Sequence, residues 1–252
     1  MAVDITIIMT MITTMIIIHI ITIINMKTTA AFSRLLQLAS PALPIGAYSY
    51  SQGFEWAIES GDVTDKPTAQ RWISDVLLTY YAQFELPVMK RLFEAWQNMD
   101  ESAIQHWDSF YKAGRDSAET WLESRQMGYS LLRLQQDLDA WPQAKLDVIT
   151  AIDEPSFPTV YAGTAVNWQI SLAETLHVYA WSWIENQVSA AMKAIPLGQV
   201  AGQQILVAVS ENITVVIEQA MQCADDEMSN FCPALSIASC RHETQYSRLF
   251  RS

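Results

Sequence analysis

Apolar side chains along most of this chain recur at steps of three and four residues, the period that lets a helix bury one face. Trp72, Ile73, Val76, Leu77, Tyr80, Tyr81 and Phe84 follow it after the turn signals Gly61-Asp62 and Pro67. Val88, Leu92, Phe93 and Trp96 follow it behind Pro87, a proline placed where a first helical turn tolerates it. Trp107, Tyr111, Gly114, Ala118, Leu122, Arg125, Tyr129 and Leu132 read as one further segment in helical steps. A shorter periodic piece, Phe32 to Leu38, stops at Ser40-Pro41 and Pro44, which cannot continue a helix. Pro142, Pro155 and Pro158 mark an irregular connection, and Val160 to Ile195 beyond it is apolar and long enough for more than one helix. Pro196-Leu197-Gly198 breaks that run, and Val200 to Met221 supplies another helix. The four-residue spacing of Gly198 and Gly202 would admit a close neighbour. Val207–Val209 and Ile213–Ile217 are β-branched, but their length and spacing favour a helix. No alternating strand pair, Asn-Gly hairpin or internal repeat competes with this pattern. The expected fold is all-α, a single-domain multi-helix bundle.

The chain has 252 residues, half of them hydrophobic and 17% charged, which suits one domain with a sizeable core. Its 27 acidic and 15 basic residues leave a formal charge of -12. A dispersed acidity of this kind serves solubility and argues against nucleic acid, which needs a basic face. Cys223, Cys232 and Cys240 are an odd number crowded late in the sequence, a poor disulfide framework. Reduced thiols in the cytoplasm fit them better.

From Ile5 to Ile24 only Ile, Thr, Met and His occur, a length that could span a bilayer. Basic residues and a small-residue cleavage site, the marks of a secretory signal, are missing from this stretch, as are the aromatic belts of a membrane span. Ile, Met and Thr codons all begin with A and differ by single bases, so the string resembles a translated DNA repeat. Residues 1–25 are therefore expected to be an extension outside the fold, with Met26 as the native start. A membrane anchor is the alternative.

Sequence features that carry chemistry are sparse. There is no Walker phosphate loop and no G-x-G-x-x-G behind a strand. His242-Glu243 begins like a zinc-protease helix, but Tyr246 stands where the second histidine belongs. Cys223, Cys232, Cys240 and His242 lack the paired C-x-x-C spacing of structural zinc sites. Ser49-Tyr50-Ser51-Gln52-Gly53 resembles a nucleophile elbow without its first glycine, and no strand leads into it. Arg125 falls on the apolar stripe of its segment; a structural role, with a partner from another helix, is expected because Glu119 and Glu123 lie off that face.

Two dense, non-periodic stretches remain. One is Leu43-Pro44-Ile45-Gly46-Ala47-Tyr48-Ser49-Tyr50-Ser51-Gln52-Gly53-Phe54-Glu55. The other is Ser239-Cys240-Arg241-His242-Glu243-Thr244-Gln245-Tyr246-Ser247-Arg248-Leu249-Phe250-Arg251-Ser252. Arginine and aromatic residues are the types that anchor protein interfaces. A terminus with no apolar face of its own is expected to stay free until a partner buries it.

The first stretch resembles the L-P-[IV]-G-x-[YF]-[ST]-x-S-x-G-[LF]-E segment of the UreF family of urease accessory proteins. The second resembles that family's closing R-H-E-T-Q-Y-[ST]-R-L-F-R-S. Glu85-Leu86-Pro87, Gln126-Met127-Gly128-Tyr129-Ser130-Leu131, Glu185-Asn186-Gln187-Val188, and Pro196-Leu197-Gly198-Gln199 with Gly202-Gln203 agree in order. The likeness runs from Phe32 to Ser252. The repeat-like start and the three cysteines lie outside the family pattern, so the cysteines give no licence for a nickel site.

This resemblance implies an all-α, dimer-forming cytoplasmic protein that is not an enzyme and holds no cofactor or metal of its own. It would bridge UreD/UreH and the GTPase UreG, and modulate GTP-dependent nickel incorporation into apo-urease, with neither nucleic acid nor membrane as partner. Residues 26–238 would form the helical domain, and residues 239–252 an interaction tail that orders on contact. The partner-binding residues implied are Gly46, Tyr48, Ser49, Gln52, Gly53 and Glu55 in the loop, and Arg241, His242, Glu243, Tyr246, Arg248, Leu249, Phe250 and Arg251 in the tail. Removing Arg241 to Ser252 would then weaken partner binding while hardly moving the melting temperature. The competing reading is a free-standing helical enzyme with a Cys/His metal site.

Overall fold

A computed structural model describes residues 30–251, so the expected extension at residues 1–25 lies outside the described residues. The described chain is helical throughout and contains no strand. Helix α1 covers residues 30–39. The others are α2 Phe54–Glu59, α3 Lys66–Val76, α4 Leu86–Asn98, α5 Glu101–Ala113, α6 Ala118–Asp137, α7 Gln143–Thr150, α8 Phe157–Asn167, α9 Leu172–Ala194, α10 Gln199–Ser210, α11 Ile213–Gln222 and α12 Pro233–His242. The all-α expectation holds.

Helix starts are written locally. The side chains of Asp65, Asp100, Ser117 and Ser171 each accept an N–H from the first turn of α3, α5, α6 and α9. Ser171 and Glu174 complete a reciprocal capping box. Pro67, Pro87, Pro158 and Pro233 stand in first turns, where the missing N–H costs nothing.

Between α3 and α4 the chain widens into a π-helical segment, Leu77–Glu85. Pro87 accounts for the change of pitch. It cannot donate to the carbonyl of Gln83 and its ring would crowd that oxygen in regular α geometry. The freed Gln83 carbonyl accepts Ser229 N–H at 3.1 Å, from the connection before α12. The wide turn turns Tyr80, Tyr81, Phe84 and Glu85 all into the interior.

Helix α8 is sandwiched between α4 and α6 and is buried from Phe157 through Ala165 without a break. A helix apolar all round has to be central. Helix α9 is the second axis, packing against α2, α3, α4, α10 and α11. The β-branched run 199–222 is helical as expected, although a turn at Glu211–Asn212 splits it into α10 and α11. It is also the one stretch among the described residues long and apolar enough to cross a membrane. Ile205, Leu206, Val209, Ile213 and Val216 instead enter the protein core. Of the two glycines expected to admit a neighbour, Gly202 does so: a Cβ there would lie 2.3 Å from Met192 Sδ. Gly198 has open space around it.

The segment read as continuous from Trp107 to Leu132 is two helices, α5 and α6, with Gly114–Ser117 between them. The phase changes across that break. Leu122 and Tyr129 point outward, while Glu123, Ser124, Met127 and Leu131 form the inner face of α6. Arg125 lies partly exposed and pairs at 2.8 Å with Glu154, from the α7–α8 connection rather than from another helix.

Lys145 on α7 is a buried amine whose polar contact is a long one, 3.4 Å to Gly163 O, with its charge 6.0 Å from the Trp96 ring. Burial lowers its pKa to about 8. The folded state therefore binds fewer protons than the unfolded chain between about pH 8 and the ordinary lysine range, and stability rises with pH across that window. Lys145→Met is expected to stabilise the protein at pH 7 by on the order of 1 kcal/mol, after allowance for solvent screening. The gain should shrink as pH approaches 10. Thermal melts of both proteins at pH 7 and pH 10 give the comparison, and a variant that melts lower at pH 7 would refute it.

Candidate functional site

The two non-periodic stretches, far apart in sequence, meet on one side of the protein. The loop leaves Leu43 and Ile45 in the core, turns through a 3-10 segment at Ala47–Ser49, and enters α2 at Gly53. Gly46 has φ +80° with nothing within 4 Å of a built Cβ, so only backbone conformation holds glycine there. Gly53 combines φ +77° with contact: a Cβ would lie 2.7 Å from Ser239 N on α12. This is where α2 and α12 touch backbone to backbone. Beside it, Ser117 Oγ and Ser239 Oγ share a hydrogen bond of 2.6 Å.

Glu55, on the first turn of α2 and 6% exposed, gathers the end of the chain. Its Oε1 accepts Leu249 N–H at 2.7 Å and its Oε2 accepts Phe250 N–H at 3.0 Å. His242 Nε2 sits 3.2 Å from the same Oε2. The other ring nitrogen, Nδ1, lies 2.7 Å from Glu119 Oε2, and Arg248 Nη1 donates to Glu119 Oε1 at 2.5 Å. Glu243 Oε1 accepts Ala118 N–H at 2.7 Å, capping α6 from outside its own sequence. Arg251 N–H donates to Ser49 O at 2.7 Å, closing the tail onto the loop. The Lys193 ammonium of α9 lies between the rings of Phe250 and Tyr48, 5.4 and 5.7 Å from their centres. Burial, with the charge of Glu185 behind it, raises the Tyr48 phenol above its ordinary pKa.

The expectation of a free tail is therefore corrected: His242 has no exposure and Phe250 only 7%. The tail expected to begin at Ser239 also starts inside α12, which runs to His242. Two carboxylates that accept hydrogen bonds from main-chain amides and an arginine hold the segment down, which the missing apolar periodicity gave no reason to expect. Arg241, Tyr246 and Leu249 point outward, Tyr246 completely and Leu249 at 70%. Sequence reasoning missed Glu119, Lys193 and Ser117. Glu119 stands in the first turn of α6 just after its Ser117 cap, a position that speaks only of helix capping until the fold brings the tail to it.

Gln52 faces inward, with φ +56°. Its amide donates to Glu123 Oε1 and accepts from Trp183 Nε1–H, both at 2.7 Å. It lines a cavity of about 100 Å³ together with Glu85, Arg115 and Tyr179. Glu85 accepts from Tyr80 and Tyr111 hydroxyls at 3.2 Å, from Tyr179 at 3.0 Å and from Arg115 Nη1 at 3.0 Å. Arg115 lies over the Tyr111 ring, 4.0 Å from its centre, and also donates to Tyr80 Oη. Burial first, and Glu85 second, push the Tyr179 phenol far up, so it remains a donor. Glu85 and Arg115 answer each other's charge within it, at 3.0 Å, as a structural centre requires.

The three cysteines and His242 do not converge. Cys223 Sγ lies against Ala224 O, Cys232 Sγ against Thr79 Oγ1, Cys240 Sγ against Asp116 O, and His242 is committed to two glutamates. Among the described residues no group of three or more His, Cys, Asp or Glu side chains is arranged so that it could hold a metal ion.

A family profile described as UreF matches residues 63–210. A urease accessory protein UreF of Methylobacillus flagellatus is 58% identical over 227 residues, covering 90% of this chain and all of that protein. Proteins of the same description from an Azoarcus species and from Dechloromonas aromatica are 49% and 46% identical, covering 87% and 90% of this chain and 94% and 100% of their own lengths. With a helical frame that presents both signature stretches on one side, the chain belongs to the UreF family of urease accessory proteins.

Proposed function

We propose that this chain bridges UreD/UreH and the GTPase UreG, and modulates GTP-dependent nickel incorporation into apo-urease, working in the cytoplasm as a homodimer. Its role is accessory rather than catalytic. The observation that carries the reading is the division of labour in the tail. His242, Glu243 and Phe250 are spent on holding the segment in place, whereas Arg241, Tyr246 and Leu249 are presented outward. A fully exposed tyrosine and a mostly exposed leucine on an ordered segment gain nothing for the fold, and a partner's surface is what would bury them. Docking in advance also spares the complex part of the ordering entropy that a free tail would lose on binding. The loop residues Gly46, Tyr48, Ser49, Gln52, Gly53 and Glu55 then act mainly by setting the tail's position.

Tyr246→Ala together with Leu249→Ala is expected to weaken binding to UreD/UreH about a hundredfold, which is roughly 2.7 kcal/mol. The melting temperature of the isolated chain should stay within about a degree, because surface truncations away from buried networks rarely change stability by more than half a kcal/mol. Co-purification with UreD/UreH and a melt of the same preparation decide it. A folded double variant that captures its partner as well as the parent would move the interface elsewhere.

A further inference from the structure

Both ring nitrogens of the fully buried His242 face carboxylate oxygens: Nδ1 lies 2.7 Å from Glu119 Oε2 and Nε2 lies 3.2 Å from Glu55 Oε2. Ionised carboxylates accept hydrogen bonds and cannot donate them. Both contacts are hydrogen bonds only when both nitrogens carry hydrogen, that is, when the ring is an imidazolium. The charge balance leads to the same state. Glu55 and Glu119 bring two negative charges and Arg248, on the second oxygen of Glu119, returns one positive charge. The imidazolium supplies the other, and a buried charge without a partner is strongly disfavoured.

We propose that His242 is a proton-operated latch for the C-terminal tail. While the ring is protonated it ties α12 to α2 and α6, and holds Glu55 where that carboxylate receives the N–H groups of Leu249 and Phe250. Loss of one proton turns a nitrogen lone pair toward one of the two carboxylates. That contact becomes repulsive, Glu55 loses its fixed position, and the tail end is released with Phe250. The ionisable groups facing the ring are Glu55 from α2 and Glu119 from α6. Arg248 faces the far oxygen of Glu119, Glu243 is engaged at the start of α6, and Lys193 of α9 reaches Phe250 rather than the histidine. The docked state is the one that binds the proton, so rising pH favours release, and acid strong enough to protonate the glutamates undoes the pair from the other side. Local opening of one segment against an intact core is the ordinary form such a device takes. The latch does not depend on which partner the tail meets, because docking is read on the isolated chain.

The test is nuclear magnetic resonance of the full-length protein over a pH series. It follows the His242 ring carbon shifts and the hydrogen-exchange protection factors of the Leu249 and Phe250 amides, with Val160 in α8 as the core reference. Protection at both tail amides should fall at least about tenfold as the ring deprotonates, with the midpoint of the ring itself, while Val160 is unchanged. Glu119→Gln removes the need for the second positive charge and should move release to lower pH. His242→Gln, which makes one contact at a time, should leave the tail unprotected and insensitive to pH across the same window. Tail protection that persists after the ring has lost its proton would overturn the proposal. So would a ring that stays neutral throughout, or a His242→Gln protein with the parent's pH dependence.

Discussion

Removal of Arg241 to Ser252 is expected to lower the melting temperature of the isolated chain by several degrees, in addition to abolishing capture of UreD/UreH. The deleted residues are the donors for two glutamates. Glu55 loses two main-chain amides and an imidazole, and Glu119 loses the other side of that ring together with Arg248. Helix α6 loses the Glu243 cap at its first amides, and Phe250 leaves a buried position against Lys193. Burial of a phenylalanine side chain contributes roughly 1.5–3 kcal/mol, and hydrogen bonds to charged groups about 1.5–3 kcal/mol each. The released backbone regains conformational freedom, which offsets part of this. A net loss on the order of 3 kcal/mol corresponds to about 6–12 °C in a protein of this size. Scanning calorimetry on the truncated and full-length proteins measures it. A truncated protein that melts with the parent would mean that the tail contacts are too weak to matter, and the loss of partner capture could then be charged to the tail alone. The Tyr246→Ala, Leu249→Ala pair separates the two effects, since it touches none of the buried groups.

The helices were legible because their information is local. Pro87 sits inside a first turn and the apolar steps of Trp72 through Phe84 give the inner face, whereas Pro158, read as part of an irregular connection, stands in the first turn of α8. Two kinds of feature were out of reach. A change of phase at Gly114–Ser117 requires knowing that the chain turns there, since the same residues at steps of three and four suit one long helix. Leu122 and Tyr129 look buried on that longer helix and are exposed on the real one. The tail is the second kind. Its order comes from Glu55 and Glu119, which stand about 190 and 120 residues away along the chain, and no periodicity reports a hydrogen bond over that distance. Family resemblance marked these residues as a group but could not say that His242 and Phe250 are buried and Glu243 caps α6, while Tyr246 and Leu249 face out. That division depends on the backbone contact at Gly53, where α12 meets α2.

The largest single-residue effect is expected at Glu85, at the end of the π-helical segment. Its carboxylate is 3% exposed and takes hydrogen bonds from Tyr80, Tyr111, Tyr179 and Arg115. Among the described residues Arg115 pairs with no second carboxylate: its side chain is 8% exposed and packed on the faces of Tyr111, Phe84 and Tyr80. Glu85→Ala strands that guanidinium and removes the common acceptor of three phenols. Breaking a buried ion pair from one side costs about 3–5 kcal/mol, mostly because the remaining charge is left unanswered. At about 2–4 °C per kcal/mol for a protein of this length, the melting temperature should fall by roughly 10 °C or more. The companion change tells whether the stranded charge is the cause. Arg115→Met in the same chain removes it and fills part of its volume with an apolar chain, so the double variant should recover a substantial part of the loss. A double variant less stable than Glu85→Ala alone would assign the cost to lost packing around the tyrosines instead. If Glu85→Ala melts within a degree or two of the parent, the network is not the structural centre described here, and the cavity beside Gln52 must already supply Arg115 with another partner.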